Sequence, residues 1–287
     1  MDDPARCRVL ALYCIVRSLG DVLRLLIHRG DFPNIPHGNV MTFTIAQMFI
    51  MYGAMLQPQT VDPKYYKWIR NVGNLKESSI QRALRTPAGH PFVECSPVWH
   101  KHPSCTVHNV TDFLYAIGRS SRMYIPVHFL PPLLFYPKSV LFVFANPTKY
   151  LKKKTFNTIV SSIFLAAYQF NIKTTICYVR NLTRSNAWWI PVLGGFFSGL
   201  SLFIEHSKRR VELALYCIPR ALEIVMRLIR KDMFPVLYAL LRKPWLPVLN
   251  FQIAIALWMT VLGTIGGDMA SNSLNVTVLR VVFGSKH

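Results

Sequence analysis

From Val40 to Gln57 the chain carries no charged residue, and the same holds from Asn186 to Ile204 and from Trp245 to Gly266. Uncharged apolar runs of this length constrain the fold strongly. A helix rises about 1.5 Å per residue and the hydrocarbon core of a bilayer is about 30 Å thick, so roughly 20 such residues cross it once. A fourth run, 156–172, extends to about 179 if Lys173 snorkels its ammonium to the headgroups. A fifth, 124–146, is interrupted by Pro126, Pro131, Pro132 and Pro137. It reads as a kinked span, a re-entrant segment or two short interfacial pieces. Trp188, Trp189 and Trp245 stand at run boundaries, which suits the headgroup region.

Charge supports the same reading. The 287 residues include 33 Lys+Arg against 13 Asp+Glu, a formal charge of +20, yet 52% are hydrophobic. A basic excess alone suggests nucleic acid, but such binders rarely carry so much apolar sequence. Here the cations cluster beside the apolar runs, so the expected partner is a bilayer with anionic headgroups, and no nucleic acid. Segments 58–123 and 205–243 hold nine Lys/Arg each, and 147–155 contains Lys149, Lys152, Lys153 and Lys154. The positive-inside rule places all three on the cytosolic side, which favours a hairpin or re-entrant 124–146.

The chain also repeats itself. LALYCIVRSL from Leu10 returns as LALYCIPRAL from Leu213, with eight of ten positions identical. Arg6, Tyr13, Cys14, Arg17 and Arg24 match Arg209, Tyr216, Cys217, Arg220 and Arg227. Pro33, Pro36 and Asn39 match Pro244, Pro247 and Asn250, and an uncharged run follows each set. Internal duplication is a usual origin of membrane folds with two related halves. Each copy spaces its charges every three or four residues: Arg17, Asp21 and Arg24 in the first, Arg220, Glu223 and Arg227 in the second. That spacing puts them on one helix face, either toward headgroups at the interface or along a polar groove between the halves. An uncharged run precedes only the second copy, so the first is expected to lack its partner helix.

The expected architecture is therefore all-α: a polytopic membrane protein with 4–5 transmembrane helices and two related halves. It divides into a first repeat, 1–57; a basic Cys/His-containing loop, 58–123; a Pro-rich hairpin or re-entrant segment plus a transmembrane helix, 124–185; a second repeat, 186–267; and a tail, 268–287. Gly195 and Gly199, and Gly263 and Gly267, form small-xxx-small pairs that let helix backbones approach. They serve packing within the chain or association with a second copy as a homo-oligomer.

One segment concentrates chemistry. CSPVWHKHPSC (95–105) with His108 gathers Cys95, His100, His102, Cys105 and His108 in fourteen residues. Thiolate and imidazole are the zinc ligands. The spacing fits no standard finger, and no distant second pair is evident. Three readings stand open: a local zinc knuckle, a Cys95–Cys105 disulfide and an ordinary polar loop. Zinc is thus the one cofactor considered. His108 and Asp112 lie one residue too close for an acyltransferase pair, and no nucleophile elbow, P-loop or dinucleotide fingerprint occurs, so no catalytic residue is expected.

The pattern SGLSLFIEHSKRRVELALYCIPRALE (198–223), with HFLPPLLFYPKSVL (128–141) and HPSC (102–105), resembles the transmembrane protein 135 family, itself related to the Tim17/Tim22/Tim23 group of membrane proteins. The resemblance extends over about residues 6–265 and is specific at 198–223. It implies a non-enzymatic, multi-pass protein of peroxisomal and mitochondrial membranes, involved in peroxisome organisation, lipid metabolism and regulation of mitochondrial fission. A Tim17-like translocase or channel subunit is the alternative it implies. The family usually has more sequence before the first repeat.

Overall fold

A computed structural model describes residues 4–85, 92–135, 147–230 and 232–265. All regular structure among them is helical. The helices are α1 (Pro4–Arg29), α2 (Gly38–Leu56), α3 (Pro63–Gly73), α4 (Glu77–Leu84), a single turn α5 (Cys95–Val98), α6 (Cys105–Phe135), α7 (Pro147–Thr183), α8 (Trp189–Gly199), α9 (Ser207–Leu228), α10 (Pro235–Leu241) and α11 (Leu246–Ile265). Short 3₁₀ turns occupy Pro58–Thr60 and Leu200–Ile204.

The chain forms two compact units. The first comprises 1–38 and 218–287, the second 39–217, and α9 contributes one half to each. In the first unit α1 packs along α11, and Arg8 donates to the Arg242 carbonyl at 3.3 Å. α1 ends where Gly30 turns left-handed (φ 85°) and the Asp31 amide reaches back to the Leu26 carbonyl at 3.0 Å, a terminator that needs glycine's freedom. The two segments of similar sequence are both helical. Each is a long helix carrying the charged stripe, followed by a turn and an apolar helix, with the short α10 added before the second apolar helix.

In the second unit α7 is the central rod, with α6 and α8 packed along it. Its buried face runs Thr158, Ser161, Ser162, Leu165, Gln169, Ile172, Lys173, Ile176 and Arg180, a helical spacing that mixes polar and apolar groups. α6 supplies complementary partners, including Ser121 to Ser162 and His128 to Ser161. Segment 58–123, expected as a loop, instead folds largely into α3 to α5 and the start of α6. Local signals explain α3: Asp62 caps it by accepting from the Tyr65 amide at 2.9 Å, Pro63 opens it, and Asn74 ends it in the left-handed region. α6 also runs through Pro126, where a break was expected; residues 136–146 lie outside the described part.

Of the expected spans, α2 alone is a single helix long and apolar enough to cross a membrane among the described residues. α10 and α11 together form a second candidate, bent by 70°. The 186–204 run forms a shorter apolar helix, Trp189–Ile204. The 156–172 run lies inside α7, whose 37 residues carry basic groups toward both ends.

Candidate functional site

Two features of the second unit bear on function. The first is a cavity of about 340 Å³ walled mainly by apolar side chains: Phe43, Met51 and Met55 of α2, Tyr65 and Ile69 of α3, Val127 of α6, Phe164 and Leu165 of α7 and Leu213 of α9. Cavities of this size and lining are where small apolar ligands bind. Polar groups interrupt the wall at few places. Gln47 is engaged at both ends of its amide, which donates to Cys217 Sγ at 3.1 Å and accepts from the Tyr168 hydroxyl at 2.6 Å. Lys173, 4% exposed, holds Asp112 at 2.5 Å, and Arg119 holds the other oxygen of that carboxylate at 3.0 Å. The neighbouring wall residue Gln169 is 4% exposed, and its Nε2 has no hydrogen-bond partner among the described residues. An unpaired buried donor costs about 1–3 kcal/mol, so this group calls for an acceptor.

Arg209, on another part of the wall, joins a closed polar knot. It lies 3.3 Å from Glu205 and 2.7 Å from His128 Nε2, bonds Ser161, and stacks over the Tyr124 ring at 5.3 Å. Ser161 donates to Glu205 at 3.1 Å. His128 Nε2 lies 3.2 Å from Ser161 Oγ as well as against Arg209, but the Glu205 carboxylate binds the serine and does not stand behind the imidazole as the orienter of a nucleophilic triad does.

The second feature is a cluster of four ligand-type atoms from Cys95, His100, Cys105 and Cys177, all within 4.8 Å of one another. Three of these residues were evident in the 95–105 segment. Cys177 was not, because it arrives from α7 through tertiary packing. His102 stays exposed and His108 stacks on the His100 ring with centroids 4.6 Å apart, so neither joins the four. All six cysteines are free thiols, including Cys95 and Cys105. Hydrogen bonding from the Cys177 thiol, helped by the Arg180 guanidinium, holds the Cys95 thiol below its ordinary value against the opposing effect of burial. Burial, reinforced by the Cys95 thiolate, pushes Cys105 up. Burial also keeps the His100 and His108 imidazoles below their usual range, hence neutral near pH 7.

The remaining sequence candidates fall as follows. Asp21 meets Arg24 at 3.2 Å; Glu223 meets Arg220 at 3.3 Å and Arg227 at 2.5 Å. Both carboxylates are buried, at 7% and 6% exposure, and Arg220 lies over the Tyr13 ring of α1 at 5.6 Å. The stripe therefore faces protein at its acidic positions, as a groove lining does. Arg17 belongs to the same face of α1. Gly195 and Gly199 lie against α2: a Cβ on Gly195 would stand 2.6 Å from the Gln47 carbonyl oxygen, and one on Gly199 2.8 Å from Thr44 Cα. Gly263 has nothing within 4 Å, and Gly267 is outside the described residues.

Comparison with known proteins returns no matching family model, no matching curated protein and no matching solved structure.

Proposed function

We propose that the chain is a non-enzymatic, multi-span membrane protein that holds a single-chain acyl lipid in the cavity of its second unit. The carrying observation is that cavity, apolar over most of its wall and lined by Gln169, whose Nε2 lacks an acceptor among the described residues while its Oε1 accepts from Arg119 at 3.4 Å. An acyl tail fits the Phe43, Met51, Phe164 and Leu165 side, and a carboxylate or ester oxygen supplies the acceptor Gln169 lacks.

Membrane residence draws support from helices that are apolar on both faces. α2 buries Phe43, Ala46 and Ile50 yet leaves Met41, Ile45 and Phe49 exposed along one stripe. α8 with its 3₁₀ extension exposes Phe196, Phe197, Leu200 and Phe203, and α11 exposes Val248, Phe251 and Met259. In water such stripes promote association; in lipid they are the natural surface. The four or five spans and two related halves read from the sequence go beyond this support: among the described residues one helix, α2, is long and apolar enough to cross, and the bent α10–α11 pair is a second candidate. The resemblance to the transmembrane protein 135 family adds the setting: peroxisomal and mitochondrial membranes, lipid metabolism, peroxisome organisation and mitochondrial fission.

The test uses diazirine-bearing palmitic acid with the full chain in nanodiscs. Cross-links should concentrate on α2 and α7 peptides, compete with unlabelled palmitate, and drop several-fold in Leu165→Trp but not in Leu114→Trp. Labelling spread over the exposed apolar stripes and unaffected by Leu165→Trp contradicts the reading.

The polar seam on α7 favours a second reading, a Tim17-like channel or translocase subunit. Thr158 and Arg180 are 22 helical steps apart, about 33 Å, which is close to a hydrocarbon thickness. Its groups are largely paired with α6, which describes a closed seam. Ionic conductance in a planar bilayer, altered by Asp112→Asn, supports this reading over the first; an electrically silent protein removes it.

A further inference from the structure

We propose that Cys95, His100, Cys105 and Cys177 form a closed tetrahedral zinc site that staples the 95–105 segment to α7. This goes beyond the lipid reading and does not depend on it.

The donor set is three thiols and one imidazole, the composition of structural zinc sites. With Zn–S near 2.3 Å, tetrahedral sulfur atoms stand about 3.8 Å apart. The four atoms, already within 4.8 Å of one another, need only contract by about an ångström around an ion. They come from α5, the turn after it, the start of α6 and, 72 residues beyond Cys105, α7, which is how a metal gains by crosslinking a fold. Four protein ligands leave no open position, so the site is structural and not hydrolytic.

The surroundings are those of a ligand shell. His100 Nδ1 lies 2.7 Å from the His102 carbonyl, an acceptor that fixes the proton on Nδ1 and leaves Nε2 as the lone-pair nitrogen. That same Nε2 is 3.1 Å from Cys105 Sγ. Histidine ligands are oriented in this way by a carbonyl on their other nitrogen. α7 presents Cys177, Arg180 and Asn181 at i, i+3 and i+4, one face of the helix. Arg180, fully buried, donates to Cys95 Sγ at 3.5 Å, and Asn181 donates to Cys105 Sγ at 3.4 Å. Zinc binding releases the thiol protons to solvent. Three thiolates and a divalent cation leave one negative charge, which the Arg180 guanidinium balances. His108 buttresses the His100 ring from the side.

The experiment measures metal in the detergent-purified full chain by elemental mass spectrometry. The expected result is about one zinc per chain, reduced at least tenfold in Cys177→Ser and unchanged in His102→Ala and in Cys7→Ser. Replacement by Co²⁺ in the unmutated protein guards against misfolded variants. It should give the intense visible bands and near-ultraviolet thiolate absorption of a tetrahedral S₃N site. Absence of stoichiometric metal together with a featureless Co²⁺ spectrum overturns the proposal, as does a Cys95–Cys105 disulfide in unreduced protein. Equal loss of zinc in His102→Ala and Cys177→Ser overturns the ligand assignment.

Discussion

Arg85 donates from Nε to the Met55 carbonyl at 2.6 Å, closing the C-terminal end of α2 with a side chain from thirty residues downstream. A second guanidinium nitrogen reaches the Ala54 carbonyl at 3.0 Å. The last carbonyls of a helix have no intrahelical donor, and burying them unpaired is costly. The third nitrogen meets Glu77 at 2.6 Å, and Tyr66 joins the same carboxylate, so α3 and α4 are tied to the end of an apolar helix through one residue. Arg85→Ala is expected to destabilise by about 2–4 kcal/mol, since it orphans two carbonyls and a partly buried carboxylate. Arg85→Lys should recover little, because an ammonium cannot span the three acceptors. Thermal melts in detergent measure both.

The same clamp sets a pH dependence. Burial raises the Glu77 carboxyl, but hydrogen bonds from Tyr66, Arg85 and Arg70 outweigh it and hold the group below its ordinary range. A depressed carboxylate contributes stability above its unfolded value, about pH 4.3, and loses it as pH falls through the folded value. The Glu77 contribution, read as the difference in melting temperature between the unmutated protein and Glu77→Gln, should therefore be flat from pH 7 to 5 and shrink below about pH 4. Glu77→Gln should be less stable at pH 7 and show a smaller acid decline.

Gly195→Ala and Gly199→Ala should each destabilise by about 1–3 kcal/mol or more, because the added Cβ meets α2 backbone atoms that cannot move aside alone. Gly263→Ala meets nothing and should be neutral or slightly stabilising through helix propensity. Equal effects at all three positions would show that the close crossing of α2 and α8 is not what these glycines serve.

Asp112 and Lys173 make the buried ion pair of the α6–α7 contact. Removing one partner, as in Lys173→Met, leaves the buried Asp112 carboxylate with Arg119 as its remaining cation and should cost about 1.5–3 kcal/mol. Replacing both, Asp112→Leu with Lys173→Met, should restore much of that loss. A double variant as unstable as the sum of the singles contradicts an interaction confined to this pair.

In the repeat helix, Glu223 bridges Arg220 and Arg227. Glu223→Gln should destabilise by about 1.5–3 kcal/mol through loss of charge-assisted hydrogen bonds. Reversal of both arginines to Glu should leave membrane insertion intact, since insertion depends on the apolar helices, while lowering the melting temperature, because two carboxylates would then stand against the buried Glu223. Retained insertion and an unchanged melting temperature in the double variant would make the stripe dispensable.

Much of this was legible in residue order. The charge-free run from Val40 matches α2 to within two residues, whereas the equally charge-free run from Asn186 gives only the short α8 and a 3₁₀ turn. The Gly195/Gly199 spacing indicated a close crossing, though not that α2 is the partner. What composition hid was structure inside the basic segment 58–123. Its lysines and arginines suggested a topology signal, while the Asp62–Pro63 start and Asn74 stop of α3 carried the local information. Cys177 was hidden for a different reason. It lies 72 residues beyond Cys105 in an apolar stretch, where a cysteine reads as packing, and only the register of α7 brings it to the 95–105 segment. The unpaired Nε2 of Gln169 is likewise a property of packing alone.

The central claim is that this chain crosses a membrane, and α7 offers the most direct test. Lys152 and Arg184 are exposed at its two ends. Single cysteines at these positions, in a Cys7→Ser background, can be probed with a membrane-impermeant maleimide on sealed, oriented vesicles. The account predicts that one position labels at once and the other only after permeabilisation. Labelling of both positions from the same side, without permeabilisation, contradicts it.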